Sequence, residues 1–342
     1  MTHSAQRLPS YSRRQTCLGL LGLVMLSTGV TGPALAQSAP KADWSLADMP
    51  PQNGHVFLVT GGTSGIGYES AKALAAAGAH VLIAARNPER GREAIASIRQ
   101  ATPQARVDFE VLDLADLASV RALSERLNAT LPQLDGLINN AGIMEPPTRG
   151  VSANGFEMQF AVNYLGHFAL TAQLLPLLRK APSPRVVTLS SIAATRGSLH
   201  FADLQFEKAY DPSAAYQQSK LACLMFALEL QRRSAAEGWG IASIPSHPGV
   251  SRTDLLVRNE GMSGFVRRNF AFLFQPSAQG ALPTLYAATA ADARGGTYYG
   301  PTRMLETRGP VGLAAVPPAA ADAEAIARLW TVSEQLTGVT YR

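Results

Sequence analysis

The chain reads as an α/β protein: one doubly wound, mostly parallel sheet with helices on both faces. Three observations carry that expectation. Short apolar runs rich in β-formers alternate with helical segments from residue 55 onward. The first run passes directly into a glycine-rich turn that opens a helix. No repeat or second domain divides the 342 residues, and an apolar content of 46% is ordinary for a chain with a full core.

The first strand is His55-Val-Phe-Leu-Val-Thr60, followed at once by Gly61-Gly62-Thr63-Ser64-Gly65-Ile66-Gly67. An Ala-rich helix then runs from Tyr68 to Ala77 and stops at Gly78. Glycines permit a tight turn and let backbone N–H groups approach a pyrophosphate at the helix N-terminus. Gly61, Thr63, Ser64, Gly65, Ile66 and Gly67 are the expected contacts of such a turn with a dinucleotide. The second strand, His80 to Ala85, ends without an acid, and Arg86 follows it. An acid there would bind a ribose 2′-hydroxyl and repel a 2′-phosphate, whereas a guanidinium binds one. The expected cofactor is therefore NADP (NADPH) rather than NAD.

A helix from Glu89 to Ala101 leads to a third strand, Val107 to Leu112, and then to Asp113 and Leu114. An Asp at that point either accepts from an adenine amine or caps the next helix. The fourth strand turns through Asn139-Asn140-Ala141-Gly142, where Ala141 and Gly142 allow the chain to pass close to a flat ring. Phe156 to Leu178 is expected as one long helix carrying Asn163 on an apolar stretch. A buried amide must be paired; this one either ties backbone together or holds a water for proton relay.

The fifth strand, Arg185-Val-Val-Thr-Leu-Ser-Ser191, ends in two hydroxyls placed to orient a substrate oxygen. After an irregular section comes a helix from Tyr216 to about Ala236, which begins Tyr216-Gln-Gln-Ser-Lys220. Residues four apart on a helix share a face. A cation beside a phenol favours the phenolate, which makes such a tyrosine a usable general acid/base. A sixth strand, Ile241 to Ile244, leads to Pro248-Gly249 and Thr253, further expected cofactor contacts. Leu255 to Phe274 is apolar with interspersed Arg258, Arg267 and Arg268 and reads as a lid over an apolar substrate. A helix from Gln279 to Ala290 and a short strand from Thr297 to Gly300 follow.

Thr60-Gly61-x-x-x-Gly65-x-Gly67, Asn139-Asn140-Ala141-Gly142, Asn163, Ser191, Tyr216-x-x-x-Lys220 and Pro248-Gly249 occur in one order and spacing. In these the chain resembles the short-chain dehydrogenase/reductase family, a Rossmann-type fold, over nearly everything after residue 52. Gly155-Phe-Glu-Met-Gln-Phe-Ala-Val-Asn-Tyr-Leu-Gly-His-Phe168 and the insertion containing Leu204-Gln205 resemble its retinol dehydrogenase and WW-domain oxidoreductase branch. The resemblance implies that Tyr216 is the acid/base and Lys220 its activator and ribose ligand. It further implies Ser191, rather than Ser190, as donor to the substrate oxygen and Asn163 as holder of a relay water. Both Tyr216 and Lys220 would also touch the cofactor. Relatives often pair through the helices bearing Asn163 and Tyr216, so a homodimer or homotetramer is expected.

Residues 1–36 contain Arg13-Arg14, a short apolar run and Pro33-Ala34-Leu35-Ala36. They read as a twin-arginine-like signal peptide, with 37–52 a linker and 53–342 the catalytic domain. The apolar run is shorter than the ~20 residues that span a bilayer, so no stable transmembrane span is expected. The corresponding localisation is periplasmic or exported, or cytoplasmic if the leader is not processed. Of 30 basic residues three lie in that leader, leaving 27 against 25 acidic ones; with no basic run beside that balance, no nucleic-acid partner is expected. No metal is expected. The favoured activity is hydride transfer between NADP and a carbonyl or alcohol of an apolar small molecule. Reduction of a C=C bond in a large flat substrate and a non-catalytic NADP-binding module are the competing functions.

Overall fold

The computed structural model describes residues 43–251 and 275–342. The leader, the expected lid and Thr253 lie outside the described residues.

The parallel strands form where the apolar runs were expected: β1 (Val56–Thr60), β2 (His80–Ala85), β3 (Arg106–Val111), β4 (Gly136–Asn139), β5 (Arg185–Leu189) and β6 (Ala242–Ser246). Every residue of β1 and β4 is buried, as interior strands covered on both faces must be. Helices α1 (Gly65–Ala76), α2 (Pro88–Ala101) and α3 (Leu117–Thr130) cross over between the first four strands. Local chemistry sets their starts. Asn87 accepts from Glu89 N and Arg90 N, with Pro88 in the first turn of α2, and Asp116 accepts from Ala118 N at the start of α3. The sheet order is β3-β2-β1-β4-β5-β6-β7-β8. It reverses direction between β1 and β4, which opens a crevice at the carboxyl ends of those strands.

The long helix after β4 is not uniform. It starts as α4 (Met158–Phe160), passes through a π-helical turn (Ala161–Leu165) and continues as α5 (Gly166–Leu178). Such turns are rare and often sit at functional sites; this one carries Asn163. Helix α6 (Pro212–Glu237) begins four residues before Tyr216, capped by Asp211 with Pro212 behind it, and ends at left-handed Gly238. The helix expected from Gln279 is broken into α7 (Ser277–Gly280) and α8 (Leu282–Thr289), with Pro283 in the first turn of the second.

Three features were not anticipated. Strand β7 (Tyr299–Arg303) pairs with an antiparallel β8 (Arg308–Leu313), whose Gly309 and Pro310 disguise it; an edge strand tolerates such residues. The segment expected as a linker folds onto the domain from Trp44, which is buried edge-to-face against Tyr286 at 5.4 Å. Helix α9 (Ala323–Thr337) lies on α5 and α6. Trp330 and Tyr341 each sit 5.1 Å from the Phe168 ring, and Tyr341 donates to Phe168 O at 2.8 Å. The chain's own C-terminus thus covers apolar surface on the two helices through which pairing was expected. No described helix is long and apolar enough to cross a membrane.

Trp330→Ala is expected to lower the unfolding free energy by about 3–5 kcal/mol, measured by urea denaturation. A loss under about 1 kcal/mol would mean that α9 rests on the domain without closing its core.

Candidate active site

Thr60, at the carboxyl end of β1, organises the crevice. Its hydroxyl oxygen accepts from Asn140 N at 2.9 Å and from Ala141 N at 3.0 Å. In return the Asn140 amide donates to Thr60 O at 2.7 Å. Strand ends β1 and β4 are thereby stitched together, and the glycine turn is seated against Ala141. At Gly67 a Cβ would collide with the Asn140 amide and the Gly61 carbonyl, so the approach of these backbones requires glycine. Helix α1 begins at Gly65, inside the turn and three residues earlier than expected. Its first-turn N–H groups consequently lie on the crevice, the arrangement that holds a phosphate.

The crevice is a cleft of about 550 Å³, a size suited to a cofactor with a small substrate. Its walls include Gly61, Thr63 to Gly67, Arg86, Asp113, Leu114, and Asn140 to Gly142. Ser191, Tyr216, Lys220, Pro248 and Gly249 complete the expected set on the same walls. Arg86 stands at the rim beyond Ala85, with Asn87 and Arg90 beside it. Asp113 uses one carboxylate oxygen on Ala115 N at 2.9 Å; Asp116, not Asp113, caps α3. The structure therefore brings the glycine loop, an arginine and the Tyr–Lys pair to one cavity, and these residues fit a dinucleotide.

Lys220 is 5% exposed, and its ammonium donates to Leu189 O at 3.1 Å. It stands 6.0 Å from the centre of the Tyr216 ring. The two adjacent serines differ. Ser190 is buried and donates to Lys220 O at 2.8 Å, so its proton is spent on the scaffold. Ser191 Oγ accepts from Ala193 N at 3.2 Å, which orients the hydroxyl and keeps its proton for another acceptor.

Asn163 is not on the cleft wall. It sits one layer behind, where its amide donates to Ile143 O at 3.0 Å and to Ser219 Oγ at 2.9 Å, while its Oδ1 accepts from Ile143 N at 2.8 Å. A Cβ added at Gly142 would lie 3.1 Å from Asn163 Oδ1 and 3.5 Å from Lys220 Nζ. A side chain at Gly142 would thus press on Asn163 and touch the Lys220 ammonium. These bonds tie Asn163 to the Ile143 backbone and to the Ser219 hydroxyl.

Sequence reasoning missed other residues that line the cleft, among them Ile143, Met144, Glu145, Ile192, Ala193, Ser213 and Gln217. Part of this lining is held from the Phe156–Phe168 stretch. Gln159 accepts from Glu145 N at 2.8 Å and donates to Tyr210 OH at 3.1 Å and Pro212 O at 3.0 Å. Glu157 is fully buried and caps α4 through Gln159 N and Phe160 N; burial raises its carboxyl from the ordinary value, against the pull of those two N–H groups. Glu157 N donates to Gln205 Oε1 at 2.7 Å. The two stretches singled out as branch features thus bind each other.

The short chain dehydrogenase family profile matches residues 55–262, and the chain belongs to that family of oxidoreductases. It is 38% identical over 330 residues to mouse retinol dehydrogenase 13, covering 94% of each chain. It is 39% identical over 305 residues to mouse polyprenol dehydrogenase, covering 87% of this chain and 88% of the relative. A crystal structure of an uncharacterized protein from Mycobacterium paratuberculosis shares the fold at 37% identity and a TM-score of 0.73, covering 88% of this chain and 100% of the other. A Beutenbergia cavernae structure, named for NAD(P)-dependent gluconate 5-dehydrogenase and solved with NADP at low occupancy, is 26% identical with a TM-score of 0.58, covering 73% and 96%.

The curated relatives correct the localisation. The match to mouse retinol dehydrogenase 13 covers 94% of the chain, more than residues 37–342 alone can supply, so it extends into the first 36 residues. A leader that aligns with a eukaryotic relative does not support twin-arginine export to a bacterial periplasm. Paired arginines before a short apolar run are a compositional signal, with no geometry to make it specific.

Gly67→Ala is expected to weaken dinucleotide binding by about 1–3 kcal/mol through overpacking, read by fluorescence titration with NADPH. Unchanged affinity would show that the turn does not approach the ligand as closely as the geometry implies.

Proposed function

We propose that the protein is an NADP-dependent alcohol dehydrogenase or carbonyl reductase whose substrate is a primary alcohol, or its aldehyde, on an apolar isoprenoid chain. The observation that carries this reading is the convergence of the Ser191 hydroxyl, the Tyr216 phenol and the Lys220 ammonium on one cleft beside the glycine turn. The cofactor, when bound, supplies or accepts the hydride at its nicotinamide ring. Everything else falls to the chain.

Ser191 donates to the substrate oxygen and fixes its direction. Tyr216 gives that oxygen a proton in reduction and takes it back in oxidation. Lys220 is pinned by Leu189 O, and its charge stabilises negative charge developing on the tyrosine oxygen. Its remaining N–H groups are free to take a ribose hydroxyl. Asn163 holds the Ile143 backbone and, through Gly142, keeps the space beside Lys220 open for a proton path. Arg86 takes the 2′-phosphate, which supports NADP over NAD. For the substrate class, the support is that two relatives are named for retinol and polyprenol, both isoprenoid alcohols with a primary hydroxyl.

The test follows NADPH and NADH consumption by the full chain with retinal, farnesal and a polyprenal. Tyr216→Phe is expected to cut turnover by about 10²–10⁴-fold while leaving NADPH affinity within about threefold, since the lost hydroxyl contributes little to ground-state binding. Arg86→Asp is expected to move the preference from NADPH to NADH by about tenfold or more, the loss of a charged hydrogen bond. Turnover surviving in Tyr216→Phe would remove that residue as the acid/base. Tight NADPH binding without turnover of any aldehyde would favour the C=C reductase or the non-catalytic module.

A further inference from the structure

We propose, on the reading of the cleft as a dinucleotide site, that His167 is a positioning residue that locks the cofactor-binding turn at Asn140–Ala141 to the π-helical turn carrying Asn163. His167 follows Asn163 by one turn and is 2% exposed, amid the apolar Phe168, Ala169 and Leu170 of α5. Its ring spans two structures. Nδ1 is 2.9 Å from Asn163 O, and Nε2 is 2.8 Å from Thr60 Oγ1.

The direction of each bond follows from what the groups can do. A carbonyl only accepts, so Nδ1 carries the hydrogen. Burial, and after it the charge of Lys220, lowers the imidazole to about 4, which leaves the ring neutral near pH 7. Nε2 is then a bare acceptor, and Thr60 must donate to it. Thr60 has one proton, and His167 takes it; both lone pairs of Thr60 Oγ1 are thereby turned to Asn140 N and Ala141 N. Without the imidazole, the same proton has Ile138 O within reach at 3.3 Å. The hydroxyl would rotate, and its lone pairs would leave the two amides. One tautomer therefore sets the sense of a chain that begins at the Asn163 carbonyl and ends on the turn that lines the cleft. The Asn163 carbonyl is held from its other side by the Cys223 thiol at 3.1 Å, three residues along α6 from Lys220.

A leucine would satisfy the surroundings of His167 at less desolvation cost. What a leucine cannot do is fix the Thr60 hydroxyl. Thr171 continues the order by donating to His167 O at 2.8 Å, so the helix side of the chain is also held.

The test is a double-mutant cycle in the full chain, read by NADPH titration and by kcat and KM for the aldehyde. His167→Leu is expected to raise the Kd for NADPH about tenfold, the equivalent of one lost interaction of 1.4 kcal/mol. Thr60→Val should do the same, and the double variant should be no worse than either single one, because all three break one chain. His167→Gln, whose amide can accept from Thr60 and donate to Asn163 O, should recover affinity to within about threefold. His167→Asn, too short to reach Thr60, should not recover it, and it serves if His167→Leu does not fold. A folded His167→Leu or His167→Asn that melts lower but binds NADPH as the wild type does would overturn the proposal, leaving the residue purely structural. Additive losses in the cycle would overturn it as well. Wild-type protein that binds neither NADPH nor NADH would overturn it by removing the dinucleotide reading beneath it, an outcome distinct from the other two.

Discussion

Two hydrogen bonds join the carboxyl end of β5 to the middle of α6, and the candidate site depends on them. Leu189 O holds the Lys220 ammonium, and the Ser190 hydroxyl holds the Lys220 carbonyl. Side chain and backbone of Lys220 are both fixed to the strand that presents Ser191. Tyr216, one turn earlier on the same face, lines the same cleft as Ser191. A Tyr–Lys pair on a free helix would be held by only a few tenths of a kcal/mol. Here α6 is buried along much of its length and is clamped from outside by α9, through Trp330 stacked on Phe226 and Arg233 over the Trp330 ring at 4.2 Å. Rigid supports of this kind are what precise positioning of reacting groups requires.

A second support lies around the loop after β4. The backbone N–H of Glu157 and the buried amide of Gln159 connect the loop after β4, the start of α6 and the insertion at Leu204–Gln205. Gln218 reaches from α6 to Leu204 O at 2.9 Å and closes that network. Buried polar groups are costly unless satisfied, and satisfied networks define a single arrangement. The lining around Glu145 is thus bonded to the helix that carries Tyr216, while the turn at Asn140–Ala141 is bonded, through Thr60, to the end of β1.

Much of this was legible in the sequence, for identifiable reasons. Interior parallel strands are uninterrupted β-former runs, so β1, β2 and β5 start within a residue of where they were expected. The glycine turn, Arg86, Ser191 and the Tyr216–Lys220 pair were legible because each needs a particular residue type at a particular distance from a strand end. The remainder was hidden where context overrides local pattern. A π turn leaves no mark in composition, so Asn163 was expected on a regular helix and found on a bulge behind the wall. Gly309 and Pro310 concealed an edge strand. The wall from Ile143 to Glu145 carries ordinary residues held by side chains further along the chain, Ile143 by Asn163 and Glu145 by Gln159. Localisation failed for a different reason: it rested on composition alone.

The central claim is direct hydride transfer between a bound nicotinamide and a carbonyl carbon. Single-turnover reduction of an isoprenoid aldehyde with NADPH carrying deuterium at both C4 positions of the nicotinamide tests it most directly. The account predicts one deuterium on the carbinol carbon of the alcohol, found by mass spectrometry, and none when Tyr216 is replaced by Phe within the same interval. Alcohol formed without deuterium, or deuterium on a carbon of a reduced C=C bond with the carbonyl intact, would contradict it.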